Sequence, residues 1–350
     1  MTDAAKPEVL VTNFNPRYTG VSSTTRNVLR QTLADGVKAQ LVGVPLPDCP
    51  APVTRAEAIR LSRTPPPGRP FTIWHVRRDP EMQVALFARD ILRLPIRIVF
   101  TSAAKHRHSF WPRWLISRMD AVIATSDEAA ALVPHVRVTA PHGVDCTLWH
   151  PAEDRAAAWR ATGYPGDYGI GVMGRIRPEK GSDIFVETMI RVLPDLPGAT
   201  ALLIGRVKGK DQGFVDQLKA RIAEAGLSDR ILFTGEVPTP EMPGLIRALS
   251  LLMAVPRYEP FGVTPSEGMA SGVPIVVSDT GHFAAFAGDG EAGRLVPTGD
   301  VEATVAAVKA VLAEGAPRAQ AARARAVEHF NLTGEAAAIE GVYEELWAKG

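Results

Sequence analysis

The chain is poor in the features that mark several common classes. It has 2 cysteines in 350 residues, Cys49 and Cys146, too few and too far apart for a disulfide scaffold or a cysteine zinc site. Its histidines offer no metal spacing either: His106-x-His108 is a single pair, and His75 stands apart. No apolar run approaches the roughly 18 residues that a membrane span needs. The first residues, Met-Thr-Asp-Ala-Ala-Lys-Pro-Glu, lack the basic and apolar regions of a secretion signal, so a cytoplasmic location is expected. Internal repeats and low-complexity stretches are not evident.

What is present is a globular composition, 46% hydrophobic, over a length that suits two domains. The net charge of +1 hides an asymmetry. Residues 1–150 hold 19 Lys and Arg against 12 Asp and Glu, and residues 151–350 hold 20 against 26. Within 51–118 the balance is 13 against 4. Such a basic half suits an acidic partner, a phosphorylated glycolipid or an anionic membrane. Nucleic acid is the competing partner, but no recognisable nucleic-acid-binding motif accompanies the charge.

Short apolar runs alternate with amphipathic stretches, which predicts parallel sheets covered by helices, an α/β fold. The expected strands are 9–14, 40–44, 72–76, 96–100, 121–124 and 136–140, then 170–173, 201–204, 231–233, 251–254, 275–277 and 295–296. Helical patterns fall at 183–192, 211–225 and 303–312. Two sets of six strands imply two doubly wound sheets. The organisation read from this is a first domain at 1–150, a polar, turn-rich linker at 151–166, a second domain at 167–330 and a last segment at 331–350. That last segment carries Ile339, Val342, Tyr343 and Leu346 on one helical face, which packs either on its own domain or on the first.

The most informative stretch runs Arg257-Tyr-Glu-Pro-Phe-Gly-Val-Thr-Pro-Ser-Glu267 and continues through Gly268 to Pro274. It sets the carboxylates of Glu259 and Glu267 eight positions apart across a loop that turns into a helix. Thr264 fits the N-cap, Pro265 the first helical position, and Glu267 falls three after the cap, so a capping box is expected. Free backbone N–H groups at such an end favour anionic oxygens. A second loop, Met173-Gly-Arg-Ile-Arg-Pro-Glu-Lys180-Gly, puts Arg175 and Lys180 at the carboxyl end of a strand, where open α/β sheets bind ligands. Two cations there suit a diphosphate whose charge grows as a bond breaks. Gly169-x-Gly171-x-x-Gly174 satisfies the dinucleotide pattern on paper, but its apolar residues are the strand itself and no helix opens directly after it.

Taken together these stretches resemble the retaining, nucleotide-sugar-dependent glycosyltransferases of the group 1, family-4 type. Glu259-x7-Glu267 is similar to their signature, and Gly174-Arg-x4-Lys180-Gly to their cationic loop. Strand ends at Leu202-Leu-Ile-Gly205 and Ile231-Leu-Phe-Thr-Gly235, and Pro141-His-Gly-Val-Asp145, match as well. The match is good over roughly 140–330 and looser before it. The resemblance implies the GT-B fold, two Rossmann-like domains facing across a cleft, with the acceptor on the first and the donor on the second. It implies that the terminal segment crosses back to the first domain. It further implies catalysis without metal or other cofactor, which agrees with the lack of any Asp-x-Asp pair.

The same resemblance assigns roles. Glu259 would hold hydroxyls of the donor sugar, backbone N–H groups of Phe261, Gly262 and Val263 would contact that sugar, and Thr264 the phosphate. Glu267 would accept from the ribose. Gly174, Gly205, Arg206, Gly235 and Val237 lie where the rest of the donor is held, and Gly20 resembles the glycine loop near the reacting groups. Many members carry a histidine directly after the fourth strand, where this chain reads Thr101-Ser-Ala-Ala-Lys-His106-Arg-His108. His75 and His108 are both candidates for that first-domain catalytic group, and Arg77, Arg78 and Arg107 are candidates for holding an anionic acceptor.

The pattern through Trp74-His-Val-Arg-Arg78 further resembles the bacterial lipopolysaccharide core mannosyltransferases. That implies GDP-mannose as donor and an anionic, lipid-linked core oligosaccharide as acceptor, reached at the inner face of the cytoplasmic membrane. The segment 107–119 interleaves aromatics with arginines, either as an interfacial helix on anionic lipid or as a helix packing Trp111, Trp114 and Leu115 inward. Alternatives are a glucosyl or other hexosyl transferase using a UDP-sugar, a sugar-nucleotide epimerase or phosphorylase, and a non-catalytic lipid-binding scaffold with this fold.

Overall fold

The computed structural model describes residues 6–104, 106–259 and 261–350. The chain divides into two compact units. The first holds residues up to Gly143 together with Leu332–Gly350, and the second holds Val144–Asn331.

Among the described residues the first unit contains strands β1 Val9–Asn13, β2 Ala39–Gly43, β3 Thr72–Val76, β4 Ile96–Ser102, β5 Ala121–Ala124 and β6 Val136–Thr139. They form one parallel sheet in the order β2-β1-β3-β4-β5-β6. The second unit contains β7 Tyr168–Met173, β8 Ala199–Ile204, β9 Ile231–Gly235, β10 Leu249–Ala254, β11 Ile275–Ser278 and β12 Gly293–Val296. Its parallel sheet runs β12-β11-β10-β7-β8-β9. Helices cover both faces of such sheets, so their central strands are buried throughout and read as unbroken apolar runs. Every residue of β1, β3, β8 and β11 is buried.

The last helix, Leu332–Ala348, belongs to the first unit. Ile339, Val342, Tyr343, Leu346 and Trp347 pack with Val9, Leu41, Ile73 and Val99 of that sheet. The Trp347 indole donates to the Phe71 carbonyl at 3.1 Å, and Arg69 forks onto Glu344 at 2.8 and 2.7 Å.

The segment 151–166, expected as a linker, lies inside the second unit. It carries the helix Arg155–Ala161, capped by Asp154, and Trp159 is fully buried against that unit's core. The last helix of the second unit is also longer than the expected 303–312. It runs Val301–His329 across a kink at Gly315, whose φ of 58° breaks the helical path just before Pro317. No helix among the described residues is long and apolar enough to cross a membrane.

Candidate functional site

In the second sheet β7 lies beside β10, while the chain leaves β7 toward β8 on one side and β10 toward β11 on the other. Connections that diverge in this way open a crevice at the carboxyl ends of the two strands. The loops that enter it are 174–181 after β7 and, after β10, 255–259 with 261–263, the stretches carrying Arg175, Lys180 and Glu259.

Glycines bring the loops together. Gly205, at the end of β8 with φ 147°, sits so close to β7 that a Cβ would fall 2.0 Å from the Gly174 carbonyl oxygen. Gly181, with φ 72°, leaves no room either: a Cβ there would meet the Val255 carbonyl oxygen at 1.9 Å. Backbone bonds then stitch neighbouring strand ends, Gly174 N–H to Ile204 at 2.9 Å, Gly205 N–H to Gly235 at 2.9 Å and Ile176 N–H to Arg206 at 3.2 Å.

Across the crevice the Lys180 ammonium donates to the Glu259 carboxylate in a partly buried ion pair. Arg257 fastens the same two loops from behind. Its guanidinium grips Asp183 at 2.8 and 2.7 Å, and its backbone N–H donates to the Glu179 carbonyl at 3.0 Å. The Asp183 bond holds Arg257 above its ordinary range, so it stays a fixed cation. Arg175, half-buried, makes no hydrogen bond or ion pair among the described residues. The Glu259 N–H reaches Thr280 Oγ1 at 3.4 Å, and the Ser278 hydroxyl holds the Pro256 carbonyl at 2.7 Å. Sequence reasoning missed Arg257, Asp183, Ser278 and Thr280. Arg257 heads the carboxylate motif and Asp183 follows Lys180 by three, which was the one available signal.

The expected capping box is absent. The helix begins at Thr264, with Val263 in the cap position and no side-chain cap, so Thr264 is its first residue and Pro265 its second. Glu267 is displaced by one and cannot play the N3 part. It is partly buried instead, and desolvation pushes its carboxyl up to about 7. Gly262, at φ 71°, is wedged between Glu259 Cγ and the Phe283 ring, each 2.7 Å from where a Cβ would stand. Phe261 stacks on His282 at 4.9 Å, and His282 meets Phe286 edge-on at 5.2 Å. This aromatic shelf was not foreseen. Arg206 and Gly235 are exposed at the ends of β8 and β9, whereas Val237 lines a cavity of about 540 Å3 with Tyr164, Leu245 and Arg247.

The first unit holds the remaining candidates, and three of them differ from expectation. His75 is fully buried: Nδ1 pairs with the Tyr343 hydroxyl at 2.5 Å and Nε2 with Thr101 Oγ1 at 2.6 Å. Burial first, and the Arg77 charge second, hold it well below the usual histidine range. It is a neutral core group that anchors the last helix, not one that reaches a substrate. Arg77 is not a surface arginine either, being 9% exposed. Arg78 is spent on Asn13 Oδ1 and Glu81 Oε1, both at 3.1 Å, and on Ser22 Oγ at 3.2 Å. His108 is half-buried and, with Arg77, lines a cavity of about 220 Å3. Gly20 opens the helix Gly20–Ala34, exposed and with open space where a Cβ would be. Arg107 is exposed beside Phe110 and Trp114. Of the aromatics in 107–119, Trp111 and Trp114 are 50% and 44% exposed rather than packed inward; only Leu115 and Ile116 of that helix are buried. No group of three His, Cys, Asp or Glu side chains lies together among the described residues.

Two six-stranded parallel sheets with covering helices match the GT-B fold. The solved structure of Anabaena Alr3699/HepE in complex with UDP superposes with a TM-score of 0.79 over 97% of this chain and 100% of that one, at 18% identity. The family described as "Glycosyl transferases group 1" matches residues 160–328. The lipopolysaccharide core biosynthesis mannosyltransferase LpsB of Rhizobium meliloti (strain 1021) is 41% identical, over 99% of both chains. LpcC of Rhizobium leguminosarum bv. viciae, of the same description, is 41% identical over 99% of this chain and 98% of that protein. The chain belongs to the group 1 glycosyltransferases, and it is an enzyme of that kind.

Proposed function

We propose that the protein moves a mannosyl group from GDP-mannose, with retention of configuration, onto a hydroxyl of a lipopolysaccharide core acceptor. The observation that carries this reading is the Lys180–Glu259 pair at the switch point, with Arg175 on the same loop. Arg175 and Lys180 would neutralise the diphosphate as the glycosidic bond breaks, charge that a metal ion would otherwise take. Glu259 would accept from hydroxyls of the transferred sugar, and Glu267 from the ribose. Mannose and the lipopolysaccharide core are favoured because both full-length relatives carry that description.

The enzyme would work as a peripheral protein at the inner face of the cytoplasmic membrane. On the helix Phe110–Ser117, Phe110 is 76% exposed and Trp111 stacks on Trp114 at 5.2 Å. Phe87 and Ile91 are exposed just beyond the neighbouring helix Asp79–Leu86. Arg107 and Arg113 flank these rings. Exposed aromatics beside arginines suit the headgroup region of an anionic bilayer.

The test is to incubate the protein with a panel of nucleotide sugars and lipopolysaccharide core acceptors and to measure the nucleotide released and the glycolipid formed, with and without chelator. GDP release coupled to mannosylated lipid, unaffected by chelator, is expected. Coupled UDP release would replace the donor, and GDP release with no glycolipid would point to an epimerase or hydrolase. Activity lost with chelator and restored by magnesium or manganese would overturn metal independence.

A further inference from the structure

The cavity of about 220 Å3 in the first unit lies at the ends of β3 and β4, and Arg77, Asp79, Ser102, His108 and His142 are in its wall. Arg77 leaves β3 directly. It is nine-tenths buried, yet its Nε and Nη1 have no hydrogen-bond partner among the described residues. Ser102 Oγ and His108 Nε2 are buried in the same state.

The neighbouring carboxylates do not satisfy that guanidinium. Asp79 lines the cavity without an ion pair to Arg77; Glu81 and Glu335 stand near enough to act on its charge, but their oxygens are committed elsewhere. Glu81 accepts from Thr12 Oγ1 at 2.9 Å, the Arg77 backbone N–H at 2.8 Å, the Phe14 N–H at 3.1 Å and Arg78 Nη1 at 3.1 Å. Glu335 holds His142 Nδ1 at 2.9 Å and the Gly143 N–H at 2.7 Å. A guanidinium cannot shed its proton at working pH. Buried and without a hydrogen-bonded counter-charge, it is destabilising until an anion supplies one.

We propose that this cavity is an oxyanion seat in which a carboxylate or phosphate group of the sugar acceptor binds the Arg77 guanidinium, with Ser102 Oγ and His108 Nε2 as further polar partners. Only the identification of the bearer as the acceptor rests on the transferase reading. The volume is below the roughly 300–1,000 Å3 of sites for drug-sized ligands, so it admits one acidic sugar unit and not a chain. Arg77 therefore selects an acidic residue within the acceptor, where the exposed arginines only raise its local concentration.

The test is calorimetric titration of the full-length protein with D-glucuronate, glucose 6-phosphate and glucose, and separately with GDP. An acidic sugar should bind and glucose should not; glucuronate alone identifies a carboxylate, glucose 6-phosphate alone a phosphate. Arg77→Gln should weaken the acid about 10- to 100-fold, the loss of a charge-assisted hydrogen bond, with Arg77→Lys intermediate and Ser102→Ala weakened less. Should Arg77→Gln fail to fold, the Arg77 Nε resonance of the 15N-arginine-labelled wild type decides: a shift on titration with the acid supports the seat. An unmoved resonance, equal binding of glucose, or binding of neither acid overturns it. GDP binding without acid binding sinks the seat and spares the transferase reading; the reverse result does the opposite.

Discussion

Each sheet has a switch point, and the two are finished differently. In the first, β1 lies beside β3 and the chain diverges to β2 and β4. That notch is filled by the protein itself: fully buried Glu81 gathers four donors, and Arg78 spans from Glu81 to Asn13 and Ser22. In the second, glycines leave the strand ends bare, and Lys180 and Glu259 meet from opposite loops, with Arg175 on the same loop as Lys180. Parallel topology supplies a crevice in both. Side chains decide whether it becomes a structural plug or a place for a ligand. The plugged sheet keeps an opening one strand further along, at the ends of β3 and β4.

The sharpest way to break this contrast is Glu81→Ala. Removing one partner of a buried, hydrogen-bonded pair should cost about 3–5 kcal/mol, read from urea unfolding monitored in the first unit. A change below about 1 kcal/mol would mean that the plug is not structural. Next in size is Lys180→Ala, which should lower turnover about 10²- to 10³-fold, as loss of a charge-stabilising donor does, while leaving the melting temperature nearly unchanged. Near-normal turnover would remove the second switch point from the chemistry.

Acid titration should then pull the two units in opposite directions. His75 stays neutral when folded, whereas the unfolded chain takes up a proton below its ordinary value of 6.5, so the first unit loses stability as pH falls through that value. Glu267 is the reverse case. Its proton is held up to about 7 against 4.5 for the ordinary carboxyl, so ionisation in the folded second unit is penalised increasingly as pH rises from 4.5 through 7. Glu267→Gln should therefore gain on the wild type across that window and match it below, and His75→Gln should flatten the acid limb. Parallel unfolding curves for wild type and variants would refute both. The smallest effect is expected at the surface: Arg107→Gln with Arg113→Gln should weaken binding to phosphatidylglycerol vesicles by about 1 kcal/mol per charge, with donor affinity unchanged.

The strands were legible because buried parallel strands are short apolar runs, and all twelve stand within a few residues of where the pattern puts them. The loops after β7 and β10 were legible as motifs. What could not be read was anything set by a distant partner. His75 pairs with Tyr343, 268 positions away, so nothing around Trp74-His-Val-Arg-Arg78 separates a core histidine from a catalytic one. Arg77 and Arg78 looked alike in sequence, yet one is buried without a hydrogen bond on two nitrogens and the other is fully engaged. The capping box failed by a single residue, the scale at which sequence signals for helix ends give out. The helix Arg155–Ala161 was hidden by the turn residues on either side of it.

The last helix carries a consequence for the order in which this protein is made. The core of the first unit includes Ile339, Tyr343 and Trp347, and the whole second unit intervenes in the chain before them. A ribosome releases the six strands of the first sheet before the second unit, and the helix that covers one side of that sheet only after it. The second unit is continuous in sequence and has all its parts in hand before then. Nascent first-unit chains must wait with Val9, Leu41 and Ile73 incompletely covered, the condition in which unfinished domains are most exposed to chaperones and to aggregation. The first unit is begun before the second and completed after it.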